Sequence, residues 1–209
     1  MINQNIIHIL SVDDHPIFRQ GIASVIRDHS DMLLQAEAAS GGEALQQFRE
    51  YQPDVTLMDL RLPDMSGVDA LIAIRTEFPE ARIVMLTTFA GDVNIRRSLE
   101  AGAFGYLLKN TPPKEIVEAI RQVHAGKKPM PLEIANQLAE NFGCDSLSER
   151  EIDVLRHVGN GNRNRDIGAR LCISEETVKV HFKHILEKLG AADRAQAMAI
   201  AVRRGIIEL

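Results

Sequence analysis

The chain has 209 residues, of which 45% are apolar and 25% are charged, and its formal net charge is −5. It has no apolar run of the roughly 18 to 20 residues that a membrane-spanning helix needs. The sequence therefore excludes the membrane-spanning class, and its length allows one domain or two domains of about 100 residues each.

Cysteine usage and the N-terminal residues bear on the compartment. Cys144 and Cys172 lack C-x-x-C spacing, and residues 1–4 contain no basic segment that would begin a signal peptide. We therefore expect a protein of the reducing cytoplasm, with thiols that are buried or chemically idle.

Charge is distributed unevenly along the chain. Residues 1–145 contain 13 Lys and Arg against 20 Asp and Glu, a balance of −7, whereas residues 146–209 contain 11 against 9, a balance of +2. Only the C-terminal part is therefore suited to contact a phosphate backbone.

Up to residue 125, short β-branched runs alternate with segments of helical periodicity. The predicted strands are Ile6–Val12, Met32–Glu37, Val55–Met58, Ile83–Thr87 and Ala103–Leu108. The predicted helices are Pro16–Arg27, Glu43–Glu50, Gly67–Phe78, Val93–Ala101 and Lys114–His124. This alternation predicts an α/β domain with a five-stranded, doubly wound parallel sheet, which binds ligands beyond the carboxyl ends of its strands.

The alternation ends at Gly126, and Lys127–Pro131 interrupts regular structure. Leu132–Asn141 predicts a short linker helix and Phe142–Ser146 a loop. Four further helices are predicted at Glu149–Val158, Arg165–Leu171, Glu175–Leu189 and Arg194–Arg204. We expect a domain at 1–125, a linker at 126–146 and a small all-α domain with a helix-turn-helix at 147–209.

Polar side chains end four of the five predicted strands. Asp13 and Asp14 follow the first strand, Asp59 the third, Thr87 the fourth and Lys109 the fifth. Three carboxylates in one crevice repel one another unless a cation is supplied. An all-oxygen set without clustered His or Cys favours Mg²⁺ as the cofactor.

A carboxylate, a divalent ion, a hydroxyl and a lysine suit phosphoryl transfer to the carboxylate. We assign Asp59 as the nucleophile because it lies in mid-sheet. Asp13, Asp14, Asp59 and the backbone carbonyl of Arg61 would hold the metal. Thr87 and Lys109 would contact phosphoryl oxygens. Taken singly, these residues are also compatible with a helix cap, a turn residue and a surface lysine.

The same residues carry a family resemblance. Asp13-Asp14, Asp59 with the following Leu60–Gly67, Thr87 and Gly102–Lys109 are similar to the receiver domain of bacterial two-component response regulators, which has a flavodoxin-like fold. The resemblance covers roughly residues 4–125. It implies that Asp59 accepts a phosphoryl group from a sensor histidine kinase in a Mg²⁺-dependent step, and that Thr87 and Tyr106 form the conformational switch.

The third helix of the C-terminal domain has a basic front. On a helical period Val178, Phe182, Ile185 and Leu189 face inward, and Lys179, Val180 and Lys183 face outward. Such a front on the second helix of a helix-turn-helix is suited to reading bases in the major groove. The expected phosphate contacts are Thr177, His181, Arg163 and Arg165. A solvated surface helix would show a similar charge pattern.

Residues 147–195 resemble the LuxR-type helix-turn-helix of the NarL/FixJ class of response regulators. The matching residues include Leu147–Glu151, Gly159, Gly161, Ile167, Ile173-Ser174, Thr177–Lys179, Lys188–Gly190 and Arg194-Ala195. The resemblance implies a homodimer on double-stranded DNA, with Ala195, Ala199 and Val202 of the last helix at the contact.

Together these patterns predict a transcriptional response regulator, rather than an enzyme, in which phosphorylation of Asp59 controls dimerisation and DNA binding. A haloacid-dehalogenase-type phosphatase would need an acid two residues after the nucleophile, where this chain has Arg61. A small-molecule-sensing LuxR-type activator would need an apolar pocket, which 4% aromatic residues and an acid-lined crevice do not favour. A receiver that no longer accepts phosphate is disfavoured by the complete set of site residues.

Overall fold

The computed structural model describes residues 6–88, 91–140 and 147–207. The chain forms two compact units, one made of Met1–Phe89 with Arg96–Ala135 and the other of Ala90–Ile95 with Asn136–Leu209.

The first unit contains a five-stranded parallel sheet, as the alternating pattern predicts. Its strands are β1 (Ile7–Val12), β2 (Met32–Ala38), β3 (Val55–Asp59), β4 (Ile83–Thr87) and β5 (Gly105–Leu108). Their order is β2-β1-β3-β4-β5, and every neighbouring pair is parallel. The strand order reverses at β1, so the carboxyl ends of β1 and β3 border the crevice in which this type of sheet binds ligands.

Five helices alternate with these strands, namely α1 (Pro16–Arg27), α2 (Gly41–Tyr51), α3 (Gly67–Glu77), α4 (Asp92–Glu100) and α5 (Pro113–His124). Ser40 and Ser66 cap α2 and α3, each accepting a hydrogen bond from a backbone N–H in the first turn. Proline occupies the first turn of α1 and α5, where its missing N–H costs no helical hydrogen bond.

The central strands of the sheet are fully buried. Every residue of β3 and β4 is buried, which is typical of parallel strands covered on both faces. On one face Val55, Leu57, Val84 and Leu86 pack with apolar residues of α1 and α5. Asp59 therefore stands at the end of a fully buried strand, opposite Leu86 of β4.

The outer edge of β5 is covered by the segment that follows α5. The backbone N–H of Tyr106 donates to the carbonyl oxygen of Pro129 at 3.0 Å. A Cβ atom at Gly105 would lie 2.8 Å from the same oxygen, so this close approach requires glycine. The edge strand thus has a backbone partner outside the sheet.

The remaining helices are α6 (Leu132–Glu140), α7 (Glu149–Gly159), α8 (Asn164–Leu171), α9 (Glu175–Leu189) and α10 (Arg194–Arg203). Helices α7 to α10 enclose an apolar core that includes Val154, Leu155, Ile167, Val178, Ile185 and Ala197. Helix α7 begins with a capping box, in which Ser148 and Glu151 satisfy each other's backbone N–H groups.

Element ends differ from prediction by one or two residues. Helix α2 begins at Gly41 rather than Glu43, because the Asp64 carboxylate accepts hydrogen bonds from the N–H groups of Gly41 and Gly42, both at 2.8 Å. The last strand begins at Gly105 rather than Ala103. The predicted loop Phe142–Ser146, and Asn141 at the predicted end of the linker helix, lie outside the described residues.

Candidate functional site

Two buried carboxylates and one ammonium group form the centre of the site. Asp13 directly follows β1 and is fully buried, and Asp59, the last residue of β3, is 4% exposed. Lys109 directly follows β5, and its Nζ lies 2.6 Å from Asp13 Oδ2 and 2.7 Å from Asp59 Oδ2. Three residues predicted from separate strand ends therefore come together in one ion-pair cluster.

Asp14 and His15 extend this cluster towards the surface. His15 Nδ1 lies 2.5 Å from Asp14 Oδ1 and 3.2 Å from Asp13 Oδ1, and the His15 N–H donates to Asp13 Oδ1 at 2.9 Å. The Arg19 guanidinium donates to the carbonyl of Asp13. Our sequence interpretation missed His15 and Arg19. The position of His15 directly after two acids was the available signal for it.

The electrostatics of the cluster favour an additional cation. Burial raises the pKa of Asp59, and the nearby Asp13 adds to the shift, although the Lys109 ammonium acts in the opposite direction. Burial alone would lower the pKa of Lys109, but its hydrogen bonds to Asp13 and Asp59 raise it. One lysine thus faces two buried carboxylates, with Asp14 beside them.

The donor set fits a hard divalent cation. Asp13, Asp14, His15 and Asp59 each place one potential ligand atom within 4.8 Å of the others. Three of these four donors are carboxylates, which Mg²⁺ prefers over nitrogen ligands. The Lys109 ammonium already occupies a position between Asp13 and Asp59 where positive charge is stabilised.

The loop between β3 and α3 is fixed at several points. Residues Arg61 and Ser66 form an antiparallel bridge, and the Gly67 N–H donates to the Leu60 carbonyl at 2.8 Å. A Cβ atom at Gly67 would lie 1.9 Å from the Asp59 carbonyl oxygen, so only glycine fits beside the strand end. A backbone hydrogen bond from Arg61 lowers the pKa of Asp59, against the larger effect of burial.

The two predicted switch residues are both buried. Thr87 ends β4 and is 3% exposed, and its carbonyl accepts the Lys109 N–H at 2.7 Å. The Tyr106 ring points inward, and its hydroxyl contacts the Ser98 hydroxyl on α4. Burial raises the pKa of Tyr106. Ser98 was not predicted, because neither its residue type nor its spacing in the sequence distinguishes it.

A groove of about 610 Å³ opens beside Asp59. It runs between α1 and the start of α5, and Phe18, Ile22 and Ile116 form much of its apolar lining. Lys109 Nζ lies 4.9 Å from the centre of the Phe18 ring, within the range of a cation–π contact. Ile17 on the outer turn of α1 is 85% exposed.

The predicted DNA-facing residues lie at the surface of the second unit. Val178, Ile185 and Leu189 of α9 are buried, as the helical period predicts. Phe182, also predicted to face inward, is half-buried. The exposed residues are Lys179, Val180, Lys183, Thr177, Arg163 and Arg165, and His181 is half-buried.

Acidic neighbours accompany both lysines on α9. Lys179 Nζ lies 2.8 Å from Glu176 Oε1 and 3.6 Å from Glu175 Oε1, and Lys183 Nζ lies 3.7 Å from Glu187 Oε1. Glu176, more than Glu175, raises the pKa of Lys179. The description of this face as a basic front is therefore incomplete, since acidic residues pair with both of its lysines.

Helix α10 separates buried from exposed alanines. Ala197 and Ala201 pack in the core, whereas Ala195, Ala199 and Val202 are exposed. The residues predicted to form a dimer contact thus lie on the face that the domain core does not use.

Cys172, which was expected to be buried or chemically idle, is exposed, so the first of these two alternatives does not apply to it. It follows the last residue of α8 and has left-handed backbone geometry, with φ of 55°. Cys144 lies outside the described residues. Within the described ranges, no helix is both long and apolar enough to cross a membrane.

Comparison with known families agrees with this arrangement. The family model described as "Response regulator receiver domain" matches residues 9–121, and the model described as "Bacterial regulatory proteins, luxR family" matches residues 145–201.

Two curated relatives match over nearly their whole length. The response regulator protein VraR of Staphylococcus aureus is 36% identical over 207 residues, covering 97% of this chain and 99% of that protein. The transcriptional regulatory protein LnrK of Bacillus subtilis is 36% identical over 216 residues, covering 96% and 98%.

Solved structures extend the likeness to three dimensions. The response regulator ChrA of a heme-sensing two-component system is 32% identical, with a TM-score of 0.59, covering 97% of this chain and 100% of that one. RcsB of Salmonella enterica serovar Typhimurium, bound to a promoter with the phosphomimetic BeF₃⁻, is 24% identical, with a TM-score of 0.73, covering 94% and 98%, and shows the shared fold.

The acid cluster at the carboxyl ends of the strands and the helix-turn-helix are typical of a receiver domain joined to a DNA-binding domain. The chain belongs to the two-component response regulators that carry a receiver domain and a LuxR-type DNA-binding domain, and it is a transcriptional regulator.

Proposed function

We propose that Asp59 is the phosphoacceptor of this regulator. The supporting observation is the Lys109 ammonium held between the Asp13 and Asp59 carboxylates, at 2.6 and 2.7 Å. A cation in this position is suited to neutralise a phosphoryl oxygen once Asp59 carries one. The Asp59 carboxylate is the nucleophile that fits this arrangement, because it ends the central strand β3 at the mouth of the groove.

The metal-binding residues of this proposal are Asp13, Asp14, Asp59 and the backbone carbonyl of Arg61. A bound Mg²⁺ supplies positive charge that offsets the negative charge of the transferring phosphoryl group. Asp13 is fixed by the His15 N–H and by its ion pair with Lys109, so it is oriented before any ion arrives. The loop that contains Arg61 is fixed by the bridge to Ser66 and by Gly67.

The phosphoryl donor of this proposal is a phosphohistidine on a sensor histidine kinase. A bond forms between an Asp59 carboxylate oxygen and phosphorus while the phosphorus–nitrogen bond to the donor histidine breaks, and the histidine leaves as a neutral imidazole after taking up a proton. The apolar groove along α1 and α5 offers the kinase a surface next to Asp59. The chain itself then acts as a regulator and not as an enzyme on a small molecule.

Phosphorylation would change the contacts of the switch and phosphoryl-binding residues Thr87, Tyr106 and Lys109. The phosphoryl group adds about one further negative charge to Asp59, and Lys109 and the Thr87 hydroxyl are the donors that would bind its oxygens. Moving a two-state population from 1:99 to 99:1 needs about 5.5 kcal/mol, which a few charge-assisted contacts can provide. Tyr106 would link this change to α4 through Ser98.

The output of this proposal is binding of a homodimer to double-stranded DNA. Lys179, Val180 and Lys183 of α9 would read bases in the major groove. The phosphate contacts would be Thr177, His181, Arg163 and Arg165. The exposed stripe Ala195, Ala199 and Val202 of α10 would form the dimer contact. RcsB, which shares the fold, is described bound to a promoter. A chromosomal target is consistent with action in the cytoplasm.

The domain division that accompanies this function is a receiver at 1–125, a linker at 126–146 and a DNA-binding domain at 147–209. The matched family ranges, 9–121 and 145–201, support it.

Incubation with acetyl phosphate and Mg²⁺, followed by intact mass measurement and DNA binding, tests the proposal. We expect the wild type to gain one phosphoryl mass only when Mg²⁺ is present, and Asp59→Asn to gain none. DNA binding should change on phosphorylation in the wild type alone. An adduct of equal yield in Asp59→Asn would show that another residue is the acceptor.

A further inference from the structure

An acidic residue begins the exposed stripe of α9 that is proposed to face DNA. Glu176, Lys179, Val180 and Lys183 follow the spacing i, i+3, i+4 and i+7, which places them on one stripe of the helix. This stripe is opposite the buried residues Val178 and Ile185. All four side chains of the stripe are exposed, and the Glu176 side chain is 80% exposed.

We propose that Glu176 is a specificity-determining residue of this regulator, which accepts a hydrogen bond from the exocyclic amino group of a base in the major groove. The base is cytosine, through N4, or adenine, through N6. This inference rests on the proposed DNA-binding function and deepens it, because it names the chemical group that the recognition helix reads.

The chemistry of a carboxylate limits what Glu176 can do against DNA. An ionised carboxylate has only acceptor atoms, and close to phosphate groups it is repelled. In the major groove, the donors on base edges are the amino groups of cytosine and adenine. A carboxylate on this stripe therefore opposes binding to most sequences and is accommodated where such an amino group faces it.

The position of Glu176 along the helix agrees with this role. It lies in the first turn of α9, which begins at Glu175 after the cap residue Ser174. In helix-turn-helix proteins the N-terminal residues of the recognition helix contact base edges. Glu175 is also in the first turn, but the helical period places it beside the stripe rather than within it.

The ion pair with Lys179 places a donor next to an acceptor. Lys179 Nζ lies 2.8 Å from Glu176 Oε1, so the ammonium and the carboxylate face outward side by side. Guanine offers acceptors at O6 and N7, and cytosine offers a donor at N4. The pair is thus complementary to neighbouring base pairs that present these groups. Because exposed pairs of this kind are weak, Lys179 can exchange its carboxylate partner for a base without a large cost.

Selection of binding sites from a random double-stranded library tests the inference. The full chain, treated with acetyl phosphate and Mg²⁺, is compared with Glu176→Ala and with the matched control Glu175→Ala. Each variant removes one negative charge and one acidic neighbour of Lys179, and both side chains are exposed, so neither change disturbs the core. Circular dichroism verifies that both variants are folded.

We expect the wild type to enrich cytosine or adenine at one position of each half-site. Glu176→Ala should lose the preference at this position only, so that its discrimination between the preferred base and the others falls by about 5- to 150-fold. Cytosine at this position would identify N4 as the donor, and adenine N6; both outcomes support the inference. Glu175→Ala should keep the wild-type motif while binding all sequences more tightly.

The inference is overturned if Glu176→Ala selects the wild-type motif unchanged, or if Glu175→Ala loses the same position. If the wild type itself retains no DNA and enriches no motif, the proposed DNA-binding function fails, and this result is distinct from the two above.

Discussion

Lys109 and Asp13, which lie at the ends of different strands, form an ion pair of 2.6 Å inside the first unit. The same ammonium is 2.7 Å from Asp59, so one lysine stabilises two buried carboxylates. A divalent ion that binds Asp13 and Asp59 would lie close to this ammonium, so each cation weakens the attraction of the two carboxylates for the other. Metal binding and the position of Lys109 are therefore coupled.

Replacement of Lys109 by methionine should distinguish the contribution of the lysine from that of a bound Mg²⁺. Without Mg²⁺, we expect Lys109→Met to lower the free energy of unfolding by about 3 kcal/mol, because a buried charge pair loses one partner. Saturating Mg²⁺ should restore most of this loss, and the affinity for Mg²⁺ should rise. Urea unfolding with and without Mg²⁺ measures both effects. Arg121→Met, which breaks the more exposed pair with Asp31, is the control and should be insensitive to Mg²⁺.

The contact between the Tyr106 and Ser98 hydroxyls predicts non-additive mutations. Tyr106→Phe and Ser98→Ala each remove one hydroxyl from a fully buried position and should each cost about 1 kcal/mol of stability. The double variant should cost less than the sum, because the second change removes a group that has already lost this contact. Urea unfolding of the four proteins gives the coupling. A strictly additive result would mean that the two hydroxyls contribute independently.

Glu151 should make the second unit sensitive to acid. Burial alone would raise its pKa, but hydrogen bonds from Lys188 and Ser148 outweigh this and lower it. Because the pKa of Glu151 in the folded protein is below its unfolded value of about 4.5, the carboxylate contributes its full stabilisation above about pH 4.5. This contribution is lost as the pH falls through the folded pKa. The Glu151→Gln variant should be less stable than the wild type at neutral pH, and its stability should depend less on pH in the acid range.

Thermal unfolding of the second unit across a pH series provides the measurement. Asp153→Asn, on the same helix but at an exposed ion pair with Arg156, is the matched control. A parallel acid dependence in the wild type and Glu151→Gln would contradict the assignment to Glu151.

Arg163 and Lys183 should affect DNA binding in different ways. Arg163→Ala removes a predicted phosphate contact, so affinity should fall similarly for all sequences and the slope of log affinity against log salt should decrease by about 1. Lys183→Ala removes a predicted base contact, so affinity should fall by about 5- to 150-fold on the selected site and much less on random DNA. Fluorescence anisotropy over a salt series distinguishes the two. If Lys183→Ala lost equal affinity for the selected site and for random DNA, Lys183 would be a phosphate contact and not a base contact.

The sheet, its order of elements and the ion-pair cluster were predictable, since strand periodicity and strand-end polarity are local signals. Asp13, Asp59 and Lys109 could be grouped before their distances were known, because the carboxyl ends of parallel strands share one edge. The Tyr106–Ser98 contact could not be predicted, since it depends on how α4 packs on β5. The acidic partners of Lys179 were visible in the sequence, but a count of basic residues on the helix does not reveal them.

The hydrogen bond from Tyr106 to Pro129 gives the proposed switch residue a second contact, separate from the one that its hydroxyl makes. Its hydroxyl contacts α4, while its backbone N–H holds the segment that leads out of the first unit. A shift of the Tyr106 backbone would therefore displace this outgoing segment directly, without first moving any of the helices that cover the sheet. If Tyr106 is the switch residue, the same tyrosine connects α4, through its side chain, with the outgoing segment, through its main chain.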